Sequence, residues 1–201
     1  MLLQEIFGVN IAMREKASKL AAQGYVVMVP DLFWRQTPNV QLGYDDAGRA
    51  EGFKLLQGFD FAKGVDDIKA TFHALKSRPE CRGAPAFVGF CIGGKLAVMA
   101  GAAEPTASAV VSFYGVALEN NLDQLRALKM PTQLHFGDHD AHIPLEKVET
   151  ISSAVMCQNN INVYVYKGGQ HGFFNHQRDE MFDKEASALA LRRALEILPA
   201  A

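Results

Sequence analysis

The sequence predicts an α/β domain whose mostly parallel sheet is flanked by helices on both faces. Short apolar runs rich in Val, Phe and Tyr alternate along the chain with longer amphipathic stretches, and most of the links between them are short. Such alternation is typical of βαβ units, whose parallel strands are buried under helices on both faces. The length of 201 residues is typical of a single domain. We therefore expect residues 1–201 to form one domain.

Six apolar runs are predicted strands, and strand twist makes the crossovers between them right-handed. The runs span residues 2–6, 25–29, 86–90, 109–114, 132–136 and 162–166. Amphipathic spacing predicts the intervening helices. These helices span residues 12–23, 64–76, 93–102, 145–156 and 180–198, and Pro199 ends the last of them.

Two stretches depart from this regular pattern. The first predicted strand begins almost at residue 1, although it has the apolar character of an interior strand. We therefore expect N-terminal edge strands to be missing from the sheet. Residues 33–59 hold five Gly and Pro residues and predict a long excursion over the sheet, which is the kind of segment that lines binding sites.

The composition excludes several classes of protein. Hydrophobic residues make up 49% of the chain and charged residues 21%, as in soluble globular domains. Lys and Arg number 20 against 22 Asp and Glu, so no basic excess is present to bind nucleic acid. No apolar run approaches the roughly 20 residues of a membrane span, and the N-terminus lacks the features of a signal peptide. The three cysteines have no metal-type spacing, which favours a reducing, cytoplasmic location.

The most informative segment is a glycine-flanked cysteine between a predicted strand and a predicted helix. Gly89-Phe90-Cys91-Ile92-Gly93 matches the G-x-S-x-G nucleophile elbow with Cys in the Ser position. The two glycines leave room for a tight, strained turn. That turn lifts the Cys91 sulfur to a helix N-terminus, where the macrodipole favours the thiolate. The N–H of Ile92 then points to where an oxyanion would form.

The same segment has two other interpretations. Cys91 can be a small buried residue in a glycine-rich turn, since free cysteine is often buried. A phosphate-binding loop is a poorer match, because neither G-x-x-x-x-G-K-[ST] nor G-x-G-x-x-G is present in the segment.

A cysteine nucleophile needs a base and a residue that orients the base. In elbow enzymes the chain order is nucleophile, acid, histidine. Asp138 and Asp140 follow the predicted strand at 132–136 and compete for the role of the acid, although either can instead cap a helix or shape the turn. His171 follows the strand at 162–166 on a glycine-flanked loop. It is the predicted base, on the same edge of the sheet as the elbow.

Other histidines have simpler interpretations. His135, His139 and His142 suggest a metal site, but His135 lies within a predicted strand and no second cluster completes a zinc spacing. We expect neither a metal nor an organic cofactor. His73 and His176 are expected to be surface or packing residues.

With elbow, acid and histidine in place, the sequence resembles the dienelactone hydrolase family of α/β-hydrolases. The resemblance runs from about Gln4 to about Leu198. It is carried by QEIFGVN at 4–10, PDL at 30–32, the cysteine elbow, the turn at 140–144 and GQHGF at 169–173. The fold that it implies is the α/β-hydrolase fold.

The resemblance assigns roles to four catalytic candidates. Cys91 matches the family nucleophile, and His171 matches the base. Asp140, rather than Asp138, matches the acid. Glu5 matches a glutamate that contacts the resting thiol and moves when substrate binds.

The resemblance also implies how the substrate is held. The backbone amides of Ile6 and Ile92 match the oxyanion hole, and Arg49 matches one of two arginines that bind the substrate carboxylate. Where the second arginine stands in the best-known branch, this chain has Asn175. Arg178 is nearby but does not occupy the matching position.

The implied activity is hydrolysis of a small lactone or ester of the dienelactone type, carboxymethylenebutenolidase-like, through a thioester on Cys91. A general carboxylesterase or thioesterase with the same triad is one alternative. A non-catalytic binding protein with a hydrolase fold is another, and an inactive truncated fragment is a third. The expected partner is a small-molecule substrate, with no nucleic acid and no membrane, and the expected state is a monomer or a weak oligomer.

Overall fold

Five parallel strands form the sheet in the computed structural model, which describes residues 1–199. The strands are β1 (Leu2–Leu3), β2 (Phe87–Phe90), β3 (Val110–Phe113), β4 (Thr132–Gly137) and β5 (Ile161–Tyr166). They lie side by side in chain order, and each neighbouring pair is parallel. The predicted parallel α/β architecture is confirmed. The last two residues of the predicted domain, Ala200 and Ala201, lie outside the described residues.

Helices occupy the connections that a parallel sheet requires. They are α1 (Ile11–Ala21), α2 (Asp46–Gln57), α3 (Phe61–Lys76), α4 (Ile92–Ala103), α5 (Leu122–Ala127), α6 (Leu145–Val155) and α7 (Lys184–Ile197). Four of them are preceded by an N-cap residue, whose side chain accepts a hydrogen bond from a backbone N–H of the first turn. These caps are Asn10, Asp45, Asp60 and Asp183. Within residues 1–199, no helix is long and apolar enough to cross a bilayer.

The core lies on both faces of the sheet. Strands β2, β3 and β4 are buried along their whole length. Phe87 of β2 packs against Phe72 of α3, with ring centroids 5.3 Å apart. Because successive side chains of a strand point to opposite faces, Phe90 lies on the other face of the sheet, toward α1 and α7. The helices therefore cover both faces, as predicted.

The predicted strand at 25–29 is wrong. This segment is extended beside β1 but makes a single described backbone hydrogen bond to it, from Leu2 N to Met28 O at 2.9 Å. An apolar run is not sufficient for a strand, which needs a ladder of such bonds. The first strand is also shorter than predicted: β1 ends at Leu3, because the chain turns at residues 6 and 7 toward the elbow.

The excursion at 33–59 contains a helix, α2, that the sequence did not predict. Gly48 and Gly52 lie within α2 and lower its intrinsic helix propensity. Both are required by close packing: a Cβ at Gly48 would lie 2.2 Å from the Gly43 carbonyl oxygen, and one at Gly52 would lie 2.8 Å from that of Ile6. Gly52 therefore lets α2 pack against the backbone that follows β1, and Gly48 lets the first turn of α2 pack against the segment that precedes it.

Candidate active site

Cys91 occupies a strained turn between β2 and α4. Its φ is 57° and its ψ is −118°, a region that residues other than glycine rarely adopt. A Cβ at Gly89 would lie 1.9 Å from the Gly93 carbonyl oxygen, and one at Gly93 would lie 2.3 Å from the Leu3 carbonyl oxygen. The glycine requirement that the elbow motif predicts is therefore confirmed. Cys91 is a free thiol and is partly exposed.

Asp140 and His171 meet at the carboxyl edge of the sheet. His171 Nδ1 lies 2.8 Å from Asp140 Oδ2. Asp140 is 3% exposed, and its other oxygen accepts hydrogen bonds from the backbone N–H groups of His142 and Ile143. These bonds fix the carboxylate in a position to orient the imidazole.

Asp138 has a different contact. Its Oδ1 accepts a hydrogen bond of 2.6 Å from the backbone N–H of Gly168. The side chain therefore connects the loop after β4 with the loop after β5. Of the two competing aspartates, the structure brings Asp140 to His171, whereas Asp138 shapes the turn.

A close backbone approach joins the same two loops. The N–H of His139 donates to the Gly169 carbonyl oxygen at 2.9 Å. A Cβ at Gly137 would lie 2.0 Å from that carbonyl oxygen. Gly137, the last residue of β4, therefore permits the contact that sets His171 beside Asp140.

The imidazole of His171 lies between Asp140 and Cys91. Burial by itself would lower the pKa of this histidine. The negative charges of Cys91 and Asp140 and the contact with Asp140 outweigh burial, and they raise the pKa of His171 from 6.5 to about 10. The surroundings therefore favour the protonated form of the His171 imidazole.

Glu5 is the centre of a buried polar network. It is 2% exposed. Its Oε1 accepts a hydrogen bond from the Tyr114 hydroxyl at 3.1 Å, and its Oε2 accepts from Asn175 Nδ2 at 3.2 Å and from the Tyr44 hydroxyl at 3.4 Å. The resemblance implies a contact with the resting Cys91 thiol, but none of the hydrogen bonds described for Glu5 within residues 1–199 involves Cys91. A catalytic role of Glu5 stays a prediction.

The backbone N–H groups of Ile6 and Ile92 come from segments that touch. Gly93, beside Ile92, approaches the Leu3 and Gln4 carbonyl oxygens at the start of the turn that holds Ile6. Ile92 is the first residue of α4, so its N–H has no partner within the helix. No hydrogen bond is described from either N–H within residues 1–199. Their role as an oxyanion hole stays a prediction.

The charges of two arginines act on His142, whose ring contacts that of His171. The His142 ring lies 4.7 Å from that of His171. The pKa of His142 is lowered by burial and by the charge of His171, and the charges of Arg178 and Arg49 lower it further. Arg49 is exposed on α2, whereas Arg178 is 8% exposed, with its guanidinium 5.7 Å from the Tyr44 ring centroid. Both charges therefore disfavour a proton on His142.

Three other histidines have partners outside this site. His135 is fully buried within β4, where its ring contacts the Tyr166 hydroxyl at 2.8 Å and Gln133 at 3.2 Å. His73 pairs with Glu104, and His176 pairs with Glu15. Within residues 1–199, no group of three or more His, Cys, Asp or Glu side chains is arranged to hold a metal ion.

Three residues near the reacting groups were not predicted from the sequence to belong to the site: Tyr44, Tyr114 and His142. Tyr114 directly follows β3, so the carboxyl-edge rule that located His171 also indicates Tyr114. His142 was considered only as a metal ligand. Tyr44 lies on the excursion, where no local pattern indicates its contact with Glu5.

Comparison with known proteins gives the family. A sequence profile described as the dienelactone hydrolase family matches residues 1–201. The chain belongs to the dienelactone hydrolase family. It is 35% identical to the carboxymethylenebutenolidase of Pseudomonas putida over 198 residues, which cover 98% of this chain and 83% of that protein. A carboxymethylenebutenolidase homolog of Mus musculus is 32% identical over 184 residues, covering 89% of this chain and 71% of that protein.

A solved structure from the same family has the same fold. The crystal structure of a candidate dienelactone hydrolase from Klebsiella pneumoniae subsp. pneumoniae MGH 78578 superposes with a TM-score of 0.85 at 27% identity, covering 98% of this chain and 84% of that one. The α/β-hydrolase fold implied by the sequence is therefore confirmed. As a member of the dienelactone hydrolase family, the protein is a carboxylic ester hydrolase.

Proposed function

We propose that this dienelactone hydrolase family member cleaves a small lactone or ester through a thioester on Cys91. The observation that carries the proposal is the position of the His171 imidazole, which contacts Asp140 at 2.8 Å and lies beside the Cys91 thiol. The carboxymethylenebutenolidase relatives, 35% identical to this chain, support the lactone class.

The first step is attack of the Cys91 thiolate on the substrate carbonyl carbon. The carbonyl oxygen takes the negative charge and accepts hydrogen bonds from the N–H groups of Ile6 and Ile92. The tetrahedral intermediate collapses by breaking the ester C–O bond. The His171 imidazolium gives its proton to the departing oxygen, and a thioester remains on the sulfur.

The second step is hydrolysis of this thioester. The neutral His171 now removes a proton from water, which attacks the thioester carbonyl carbon. The C–S bond breaks, the acid leaves, and the thiolate and imidazolium are restored. An enol lactone or an activated ester suits this sequence because its oxygen departs readily, whereas an amide nitrogen does not.

We infer that Arg49 and Arg178 together favour a substrate that carries a carboxylate. The amide of Asn175 contacts the Tyr44 hydroxyl at 2.7 Å and Glu5 at 3.2 Å, so it is committed to the buried network. Arg178 Nε has no hydrogen-bond partner among residues 1–199. It supplies a second cation from a position three residues beyond Asn175.

The test of the reaction is turnover of a cyclic dienelactone and of p-nitrophenyl acetate by wild type and Cys91→Ala. We expect Cys91→Ala to abolish turnover of both while circular dichroism stays unchanged. His171→Ala should slow the second step, so intact-mass spectrometry after mixing with ester should detect the acyl group on the protein. Turnover retained by Cys91→Ala would refute the nucleophile, and a thiol inert to iodoacetamide would favour a non-catalytic binding protein.

The test of the substrate class is Arg178→Met. Loss of a hydrogen bond between charged groups should lower kcat/KM for the carboxylate-bearing lactone by about 10- to 150-fold. The value for neutral p-nitrophenyl acetate should change little and serves as the control. Equal effects on both substrates would contradict the carboxylate role and favour the general esterase.

A further inference from the structure

A cavity lies between the sheet and helices α1 and α7. Its volume is about 220 Å³. Its walls are largely apolar, with four aromatic side chains: Phe90, Phe113, Phe174 and Phe182. The described lining contains none of the candidate active-site residues Cys91, Asp140, His171, Glu5 and Arg49.

One cation is buried in this cavity without a partner. Lys16 of α1 lines it and is 5% exposed. Its Nζ has no hydrogen-bond partner among residues 1–199 and lies 5.1 Å from the centroid of the Phe90 ring. A lysine on a helix surface usually extends its ammonium into water, but this one remains inside. An unpaired buried ammonium is unfavourable. An anion bound beside Lys16 Nζ would therefore stabilise it.

The surroundings of Lys16 do not supply that anion. Burial lowers the pKa of its ammonium, and the charges of Glu5 and Glu15 offset only part of this shift. Glu15 itself lies 2.8 Å from His176 Nε2. Lys19 and Lys184 also line the cavity, and none of the described lining residues is acidic. The cavity is therefore apolar in its walls and positive in its charge.

We propose that this cavity binds a small aromatic carboxylate. The carboxylate accepts a hydrogen bond from Lys16 Nζ, and the ring packs against Phe90, Phe113 and Phe174. Aromatic rings prefer offset or edge-on contact with other rings, and these walls offer both. The volume is below the roughly 300–1,000 Å³ of pockets for drug-sized ligands, which selects a ligand with a single ring.

Benzoate binding to the whole protein tests the site, measured by calorimetry with Lys16→Met and Lys19→Met. Met keeps the length of the side chain and removes the charge. Lys16→Met should weaken benzoate binding by about 10-fold or more. Lys19 is exposed at the rim, so Lys19→Met should have a much smaller effect. Benzyl alcohol, which has the ring without the carboxylate, should bind weakly and equally to wild type and Lys16→Met.

Two further measurements separate this site from the mouth of the active site. Arg178→Met should leave the Lys16-dependent benzoate affinity unchanged, and in wild type the ring protons of benzoate should give NOEs to Phe90 and Phe113. Benzoate that binds Lys16→Met as tightly as wild type, or that gives NOEs to His142 and none to Phe90 or Phe113, would overturn the proposal. No saturable binding up to about 10 mM would overturn it as well. The NOE experiment needs no variant, so a folding failure of Lys16→Met leaves the test intact.

Discussion

Two buried histidines of this protein have opposite electrostatic surroundings. His171 follows β5 at the carboxyl edge of the sheet, where its Nδ1 contacts the Asp140 carboxylate and its pKa is raised to about 10. His135 lies inside β4, where its Nδ1 contacts the Tyr166 hydroxyl and burial lowers its pKa to about 3. Burial disfavours the charged imidazole in both places. The difference arises because anionic partners are present at the edge of the sheet and absent from the surroundings described for His135.

The two histidines therefore affect folding stability in different pH windows. The folded pKa of His171 lies above its unfolded value of 6.5. Its contribution is fully present below that value and is lost as the pH rises through about 10. The folded pKa of His135 lies below 6.5. Its penalty is absent above that value and grows as the pH falls toward about 3, because the unfolded state then binds the proton.

Asp140→Asn gives the largest expected effect, because it replaces the carboxylate beside His171 with a neutral group. The amide no longer stabilises the imidazolium or selects its tautomer, so kcat/KM should fall by about 10⁴-fold. Steady-state hydrolysis of the dienelactone measures this change. Asp138→Asn is the matched control, since an amide oxygen can still accept from Gly168 N–H, and it should change kcat/KM little. Equal losses in the two variants would refute the assignment of Asp140.

His135→Gln removes the second histidine of the comparison, the one whose pKa is lowered by burial. His135 has a folded pKa of about 3 and an unfolded pKa of 6.5. Its titration should therefore lower the free energy of unfolding of the protein by about 3 kcal/mol between about pH 7 and about pH 4. The glutamine of the variant does not bind a proton in this range, so the free energy of unfolding of the variant should decline less than that of wild type. Urea unfolding at both pH values measures the difference. Identical pH dependence in wild type and variant would show that His135 is not held neutral by burial.

Gly137→Ala keeps both partners of His171 but disturbs the contact that sets the distance between them. The added Cβ would lie 2.0 Å from the Gly169 carbonyl oxygen, so the loop that carries His171 must move. A displacement of about 1 Å should lower kcat/KM by about 10²-fold. Gly168→Ala is the control, because nothing lies within 4 Å of its added Cβ, although its positive φ introduces strain. If Gly137→Ala is as active as wild type, the close approach does not position His171.

Local signals predicted the candidate site better than they predicted the outer parts of the fold. The elbow has glycines that the turn itself requires, and Asp140 and His171 follow apolar runs that end at one edge of the sheet. Such signals lie within a few residues of the side chain concerned. The family resemblance then distinguished Asp140 from Asp138, and the contact with His171 agrees with that choice.

The errors arose where long-range packing overrides local preference. Helix α2 contains two glycines that disfavour a helix locally. Gly48 permits a close approach to the backbone of Gly43, and Gly52 permits one to the backbone of Ile6. The run at 25–29 has the composition of a strand but lacks a ladder of hydrogen bonds. The contact between Glu5 and Tyr114 joins residues 109 apart in the chain, and no local pattern contains it.

The most direct test of the central claim is an NMR titration of the imidazole nitrogens in wild type and Cys91→Ala. In wild type, we expect His171 to keep its second proton until about pH 10 and His135 to stay neutral until about pH 3. In Cys91→Ala, the pKa of His171 should fall because the thiolate charge is gone, whereas that of His135 should not move. A His171 that titrates near 6.5 in wild type, or that is unaffected by the loss of Cys91, would contradict the claim that Cys91 and Asp140 stabilise its imidazolium.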